Sequence, residues 1–347
     1  MAQPMKRIAS AVTCFAFLSL ASSACAVGGD EDGVDAKGTI AFVSQVERGS
    51  AIFISNPDGS GRRQLTRQRT RYEGVETLAW SPSGARIAYS AGLRGFNDDA
   101  YDDVHVIPAR GGDAQRLTNS REDDWNPAWS PDGRTIAFDR QDDGYNWVYA
   151  VNADGTGLRR LTANFNWQPV WSPDGRITYA NGRGVWVMNT DGSGKRLLAS
   201  VGVHITGYVM PAGIAWSPDG TLVAFTTGTA LWVMDADGKH RRKLYGVGDR
   251  RTQGPVWSPD GTMLAWTQGD GDLEVFVIDA AGRGPRNLTD NAGIEDTEPT
   301  WSPDSRALAF LRKRDGETDV YVMNADGSGQ RNLSETPAAD WSPVWSP

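Results

Sequence analysis

Three tryptophans stand in a setting that suggests chemistry. Trp125, Trp167 and Trp341 each follow an Asp or Asn, as Asp124-Trp125, Asn166-Trp167 and Asp340-Trp341, and each stands four residues ahead of a Trp-Ser-Pro phrase. The same positions before the other four phrases hold Val75-Glu76, Pro211-Ala212, Thr252-Gln253 and Asp296-Thr297, with Glu122, Asp123, Phe165, Glu295 and Glu298 close by. Indole rings beside carboxylates suit binding, because an exposed Trp offers a large contact area to a peptide and stacks on a sugar ring equally well. They also suit acid–base work: Asp124, Glu295 or Glu298 would serve glycoside hydrolysis if two carboxylates were held about 5 to 9 Å apart. Packing over a neighbouring element competes with both readings.

Other catalytic devices are hard to assemble. His105, His204 and His240 lie in different segments with no shared spacing, so they do not read as a metal cluster or a triad base. No Gly-x-Ser-x-Gly nucleophile elbow occurs. Both cysteines, Cys14 and Cys25, fall within the first 26 residues, which leaves no thiol beyond them. Asn97, Asp98, Asp99, Asp102 and Asp103 gather oxygens of the kind calcium prefers, but their spacing fits no calcium loop and reads as a solvated acidic run. The expectation is a binding protein without catalytic residue, metal or cofactor. Its contact residues would be Trp125, Trp167, Trp341, Asp124, Asp296, Glu298 and Glu76.

The elements that must position these residues are repeats. Trp-Ser-Pro recurs at Trp80, Trp129, Trp171, Trp216, Trp257, Trp301 and Trp345, at spacings of 41 to 49 residues. The phrase usually runs on into Asp-Gly, as in Pro131-Asp132-Gly133, a tight turn in which Pro presets φ and Gly accepts a positive one. A short apolar run follows (Ile136-Ala137-Phe138), then an alternating one (Val148-Tyr149-Ala150-Val151) ending in Asn-x-Asp-Gly, then a short strand of Arg-x-Leu-Thr character. Four strands per repeat predict an all-β, seven-bladed β-propeller of four-stranded antiparallel blades.

The first repeat lacks its Trp-Ser-Pro strand and opens at Thr39-Ile40-Ala41-Phe42. Pro343 to Pro347 supplies that strand at the other end, so the two ends should pair in one blade and close the ring. The loops leading into the Trp-Ser-Pro strands would then gather at one mouth of the central channel. The seven repeat tryptophans are expected in the core between blades. Arg63, Arg116, Arg160, Arg196, Arg242, Arg286 and Arg331 recur at the last strand and are expected to guard an exposed sheet edge.

Residues 1–26 read as an export signal, with Lys6-Arg7, an apolar core from Ile8 to Leu20, and small residues from Ser22 to Ala26. That core is too short to span a bilayer. Two cleavages compete: after Ala26, or before Cys25, which would then carry a lipid. Residues 27–37 read as an acidic flexible linker and 38–347 as the propeller. The expected protein is exported to the periplasm or outside the cell, monomeric, and attached to a membrane only through Cys25. A net charge of −8, from 35 basic and 43 acidic side chains, argues against a nucleic-acid partner.

Trp-Ser-Pro-Asp-Gly, Ile-Ala-Phe, Val-Met-Asn-x-Asp-Gly and Arg-x-Leu-Thr together resemble the repeat of TolB-type β-propellers over residues 38–347. The resemblance implies the propeller fold, within a family that includes scaffold proteins, propeller domains of oligopeptidases and some lyases. The oligopeptidases also need an α/β-hydrolase domain and the metal-dependent lyases use clustered histidines, neither of which is read here. TolB's separate N-terminal α/β domain is not read either. The resulting expectation is an exported scaffold that holds a protein segment or envelope ligand at the channel mouth. A polysaccharide- or peptide-processing hydrolase or lyase, or a carbohydrate-binding module, is the alternative.

Overall fold

The Trp-Ser-Pro phrases at Trp80, Trp129, Trp171, Trp216, Trp257 and Trp301 each end a strand and reverse the chain through a small set of hydrogen bonds. At Ser130, the carbonyl accepts Gly133 N–H at 2.9 Å and the hydroxyl accepts Thr135 N–H at 2.9 Å while donating to Asp132 Oδ1 at 2.6 Å. Gly133 takes φ 67°, the left-handed region that glycine enters without a side-chain clash. The chain therefore leaves the turn already paired with the strand it has just completed.

In the computed structural model, the described residues are 34, 36–47, 49–67, 73–93, 101–142, 144–163, 166–200, 213–246, 248, 250–335 and 338–347. All belong to the unit Gly33–Pro347. The expected export signal, Cys25 and most of the linker lie outside them, as do Asn97 to Ala100, Phe165, His204, Pro211 and Ala212.

Blade 3 shows the repeat: the inner strand Asp123–Trp129 pairs with Thr135–Asp142, that strand with Tyr145–Asn152, and that one with the outer Arg159–Arg160, antiparallel throughout. Six consecutive units follow this order. The remaining one, blade 1, is composite. Asp340–Trp345 pairs with Ile40–Val46 in the register Ile40↔Trp345 and Val43↔Trp341, and Ile40–Val46 pairs onward to Gly49–Ser55. The two ends of the propeller thus share a blade, as the complementary missing strands predict. A single parallel bridge, Gly49↔Glu73, also ties blade 1 to blade 2.

The inner strands neighbour one another in succession, and Asp340–Trp345 returns to lie against Glu73–Trp80, so they surround one axis. The apolar core is divided among the blade junctions rather than placed at the centre. Ile40, Phe42, Ala309, Val322 and Trp345 fill the junction of blades 7 and 1, and Ala88, Val106, Trp129, Phe138 and Val151 fill that of blades 2 and 3. Seven such clusters occur among the described residues. An open row of seven blades would have six, so the ring is closed. Six of the repeat tryptophans are buried, between 6% and 9% exposed, and Trp80 is half-buried.

The recurring arginines do more than guard an edge. Arg63 Nη2 donates to the Ala109 carbonyl at 2.7 Å, Arg196 Nη1 to Asp237 O at 2.9 Å and Arg242 Nη2 to Ala280 O at 2.9 Å, each tying an outer strand to the next blade's turn. In blades 2 and 3 the neighbouring residue takes this role: Gln115 Nε2 donates to Asp154 O at 2.9 Å and Arg159 Nη2 to Thr190 O at 3.2 Å. Arg116 and Arg160 therefore face elsewhere.

Candidate functional site: the channel mouth

The inner strands carry a repeated irregularity. Register slips between Trp125 and Ala128, Trp167 and Val170, Gln253 and Val256, and Thr297 and Thr300. The residue two before the repeat tryptophan is Pro127, Pro169, Pro255 or Pro299 in these strands, and a proline has no N–H to give to the ladder. The residue before each proline turns left-handed: Asn126 at φ 52°, Gln168 at 56°, Gly254 at 56° and Glu298 at 53°, with Ser342 at 53° in the closing strand. For non-glycine residues such a backbone costs on the order of 1–3 kcal/mol. Asn126, Gln168, Glu298 and Ser342 are held there by hydrogen bonds that pass from blade to blade. Asn126 N–H donates to Thr77 Oγ1 at 3.3 Å, Leu78 N–H to Ser342 Oγ at 3.3 Å, and Gln168 N–H to Asp139 Oδ2 at 3.1 Å.

The bulge sorts the expected contact residues by depth. Asp124 and Asp296, expected at the rim, are fully buried beneath it. Each is gripped in bidentate fashion: Arg140 Nε and Nη2 donate to Asp124 at 2.6 and 2.7 Å, and Arg312 Nε and Nη2 to Asp296 at 2.7 and 2.8 Å. The guanidinium groups lie in turn over aromatic rings, Arg140 at 4.6 Å from Tyr149 and Arg312 at 4.5 Å from Tyr321. Burial works against the charge on Arg140, but the bonds it donates to Asp124 and the attraction of that carboxylate outweigh it and hold the guanidinium more firmly protonated. Burial pushes Asp124 up while Arg140 opposes the rise, and the bidentate geometry keeps both groups charged.

Trp125 and Trp341 lie half-buried across blade boundaries. Trp125 Nε1 donates to Asp102 Oδ2 at 3.0 Å and Trp341 Nε1 to the Val75 carbonyl at 3.2 Å, so both brace blade 2 from its two neighbours. Trp341 also packs against the cores on either side of blade 1. Trp167 heads its inner strand opposite Ala180, and its side chain lies outside the described residues. Glu76 is half-buried in the inner strand of blade 2. Glu298 is exposed to solvent, yet the surrounding wall desolvates its carboxyl and raises its pKa, opposed by the Ser342 N–H. Glu295, the other acid–base candidate, faces Lys313 at 3.5 Å.

Asp102 and Asp103, the described part of the acidic run, are engaged: Asp102 with Trp125, Asp103 with Arg116. No group of three or more His, Cys, Asp and Glu side chains arranged for a metal occurs among the described residues. His105 stacks on Tyr89 at 5.2 Å, and His240 pairs with Asp235 at 2.6 Å in a different blade.

Most of the positions expected on entry loops lie in the inner strands themselves, and taking only the fourth and fifth residues before each repeat tryptophan misses Asn126, Gln168 and Ser342, which the bulge brings to the channel wall. The prolines two residues ahead of the repeat tryptophans were the available signal. Arg140 and Arg312 were also missed, although each follows its aspartate by 16 residues in both blades.

The model of the TolB β-propeller domain matches residues 34–253 and 203–347. The chain belongs to the TolB β-propeller family. A Tol-Pal system protein TolB of Francisella tularensis subsp. mediasiatica is 29% identical over 116 residues, 33% of this chain and 25% of that one. The chain spans less than half the length of the curated relatives it matches. The crystal structure of TolB from Acinetobacter baumannii superposes with a TM-score of 0.60 at 18% identity, covering 89% of this chain and 67% of that one. Oligogalacturonate lyase from Vibrio parahaemolyticus gives 0.61 at 11% identity, covering 82% and 85%. These two likenesses are of fold.

Proposed function

We propose that this TolB-family propeller is an exported, non-catalytic scaffold that holds a segment of a partner protein at its channel mouth. The observation that carries the reading is the bulged inner strand. Strained, non-glycine backbone recurs in four blades at the axis, where Asn126, Gln168, Glu298 and Ser342 ring the channel on a frame of closed blades. A relative named for the Tol-Pal system supports a protein partner. Asp124 and Asp296 act in this reading as buried braces that fix the mouth, while Trp125 and Trp341 form its half-exposed rim.

The hydrolase or lyase alternative draws on fold likeness and on a short match, 31% identical over 86 residues, to an uncharacterized peptidase of Bacillus subtilis of which this chain covers 13%. It also loses Asp124, which is committed to Arg140, as an acid or base.

The test is capture from envelope extract by the immobilised mature protein. Glu298→Gln, which keeps an oxygen to accept the Ser342 N–H, should weaken capture of the retained partner by about tenfold with melting unchanged. Capture that survives this change but is lost on Leu197→Ala, at the outer rim where Leu197 is 43% exposed, would move the binding face away from the channel.

A further inference from the structure

A cleft of about 1480 Å³ opens between blades 1 and 2, away from the axis. Among the described residues, its lining includes five arginines, Arg63, Arg67, Arg110, Arg116 and Arg121, against two carboxylates, Asp103 and Asp113. That balance is the reverse of the chain's net −8.

The repeat uses Arg63 as a brace between blades but does not require the other four for that role. At the other blades the outer-strand side chain reaches the next blade's turn, and in blade 2 Gln115 does so, which frees Arg116 for the cleft. Arg116 pairs there with Asp103 and donates from Nε to the Thr118 carbonyl at 2.8 Å. Asp103 is further occupied by the Thr118 hydroxyl at 3.1 Å and Ser120 N–H at 3.3 Å, so this buried carboxylate belongs to the floor. The Arg116 side chain is nonetheless 48% exposed. Arg63 is fixed at the rim by the Ala109 carbonyl. Arg67, Arg110 and Arg121 are exposed and have no carboxylate partner among the described residues. His105 also departs from the repeat. It occupies the place held by Tyr149, Trp186, Trp232, Phe276 and Tyr321 in other blades, and so sets a polar ring in the wall facing blade 1.

We propose that this cleft is a binding site for a small, multiply charged anion, a polyphosphate or polycarboxylate whose acidic groups are gripped by several arginine forks. A guanidinium presents paired N–H donors that match carboxylate and phosphate oxygens, and two anchored arginines with three unengaged ones leave positive charge to be neutralised. The cleft exceeds the roughly 300–1,000 Å³ typical of a single small-molecule site, which suits an extended anion bridging cations at both ends. This site is independent of the channel mouth.

The experiment is calorimetric titration of the full protein with inorganic pyrophosphate and, separately, with citrate, repeated at raised salt. Arg110→Ala/Arg121→Ala should weaken binding by about tenfold, and salt should weaken it in the wild type. Arg134→Ala/Arg250→Ala removes the same charge from exposed positions outside the cleft and should leave affinity within about twofold. Binding of pyrophosphate alone identifies a phosphate ligand, of citrate alone a carboxylate ligand, and of both a site that reads charge density. Absence of binding by either anion, or equal losses in the two double variants, overturns the proposal. Melting curves of each variant with and without anion separate lost binding from lost folding, because only a bound anion raises the melting temperature.

Discussion

Trp80 donates its indole N–H to the carbonyl of Val344 at 3.2 Å, across the junction where the first and last inner strands meet. The acceptor is the residue just before the preceding blade's repeat tryptophan. Trp129 reaches Ala79 in the same way at 3.1 Å, Trp171 reaches Ala128 at 2.9 Å, Trp257 reaches Ala215 at 3.2 Å and Trp301 reaches Val256 at 3.3 Å. Trp216 uses a relay, donating to Thr178 Oγ1 at 2.9 Å, which donates to the Val170 carbonyl at 2.9 Å. Trp345 breaks the pattern, since its Nε1 is buried without a partner.

That contrast predicts unequal costs for one substitution. Trp129→Phe and Trp345→Phe both remove ring volume, but only the first removes a hydrogen bond and strands a carbonyl. Trp129→Phe should therefore be more destabilising by about 1–2 kcal/mol, read from urea unfolding midpoints. Equal losses would mean that the indole hydrogen bonds add nothing beyond packing.

Closure gives a second prediction. Removing residues 341–347 takes away the strand paired to Ile40–Val46, together with a buried Trp345 that fills the junction of blades 7 and 1. Loss of one buried Trp costs about 3–5 kcal/mol, and the exposed ladder invites pairing between molecules. Thermal melting should fall sharply and light scattering should rise. A truncated protein that melts with the intact one would show that the ring does not depend on this blade.

The fold was legible because every cue for it is local and repeated. Trp-Ser-Pro, the Asp-Gly turns and the alternating runs each determine a strand or a turn without reference to the rest of the chain. The site was less legible for a definite reason. The positions four and five before Trp129 or Trp301 read as a loop entering the inner strand, whereas Asp123–Trp129 and Glu295–Trp301 are strand throughout and pair with the next strand on both sides of the bulge. Asp124 and Asp296 therefore sit buried within the blade rather than exposed at a rim. Their arginine partners come from the next strand, a pairing that sequence spacing alone does not reveal.

The Asp124–Arg140 pair can be probed by removing one or both members. Arg140→Met leaves a buried carboxylate without its cation and should cost about 3–5 kcal/mol, whereas Asp124→Leu combined with Arg140→Met should recover most of that loss. Denaturant unfolding of the single and double variants measures the difference. Similar losses in both would mean that Arg140 matters for its packing over Phe138 and Tyr149 rather than for its charge.

Asp139 makes the stability of the propeller depend on pH. It is 1% exposed, and burial pushes its pKa up to about 7 against opposing hydrogen bonds from Asn126 Nδ2 and Gln168 N–H. Its Oδ1 has no partner, and neither does the buried Oε1 of Gln168. A carboxyl whose folded pKa lies above its unfolded one favours the folded state while protonated in both. As pH rises from about 4 to 7, the unfolded chain ionises first and the native state loses that advantage. Asp340, also buried and raised to about 6, acts in the same direction over the lower part of this window. Stability should fall by on the order of 2–4 kcal/mol between pH 4 and 8, less any opposing contribution from carboxylates held below their usual range. Asp139→Asn should flatten this slope and melt higher than the wild type at pH 8, because an amide has an N–H to donate where the ionised carboxylate has none. A variant with the wild-type slope would place the titration on another group.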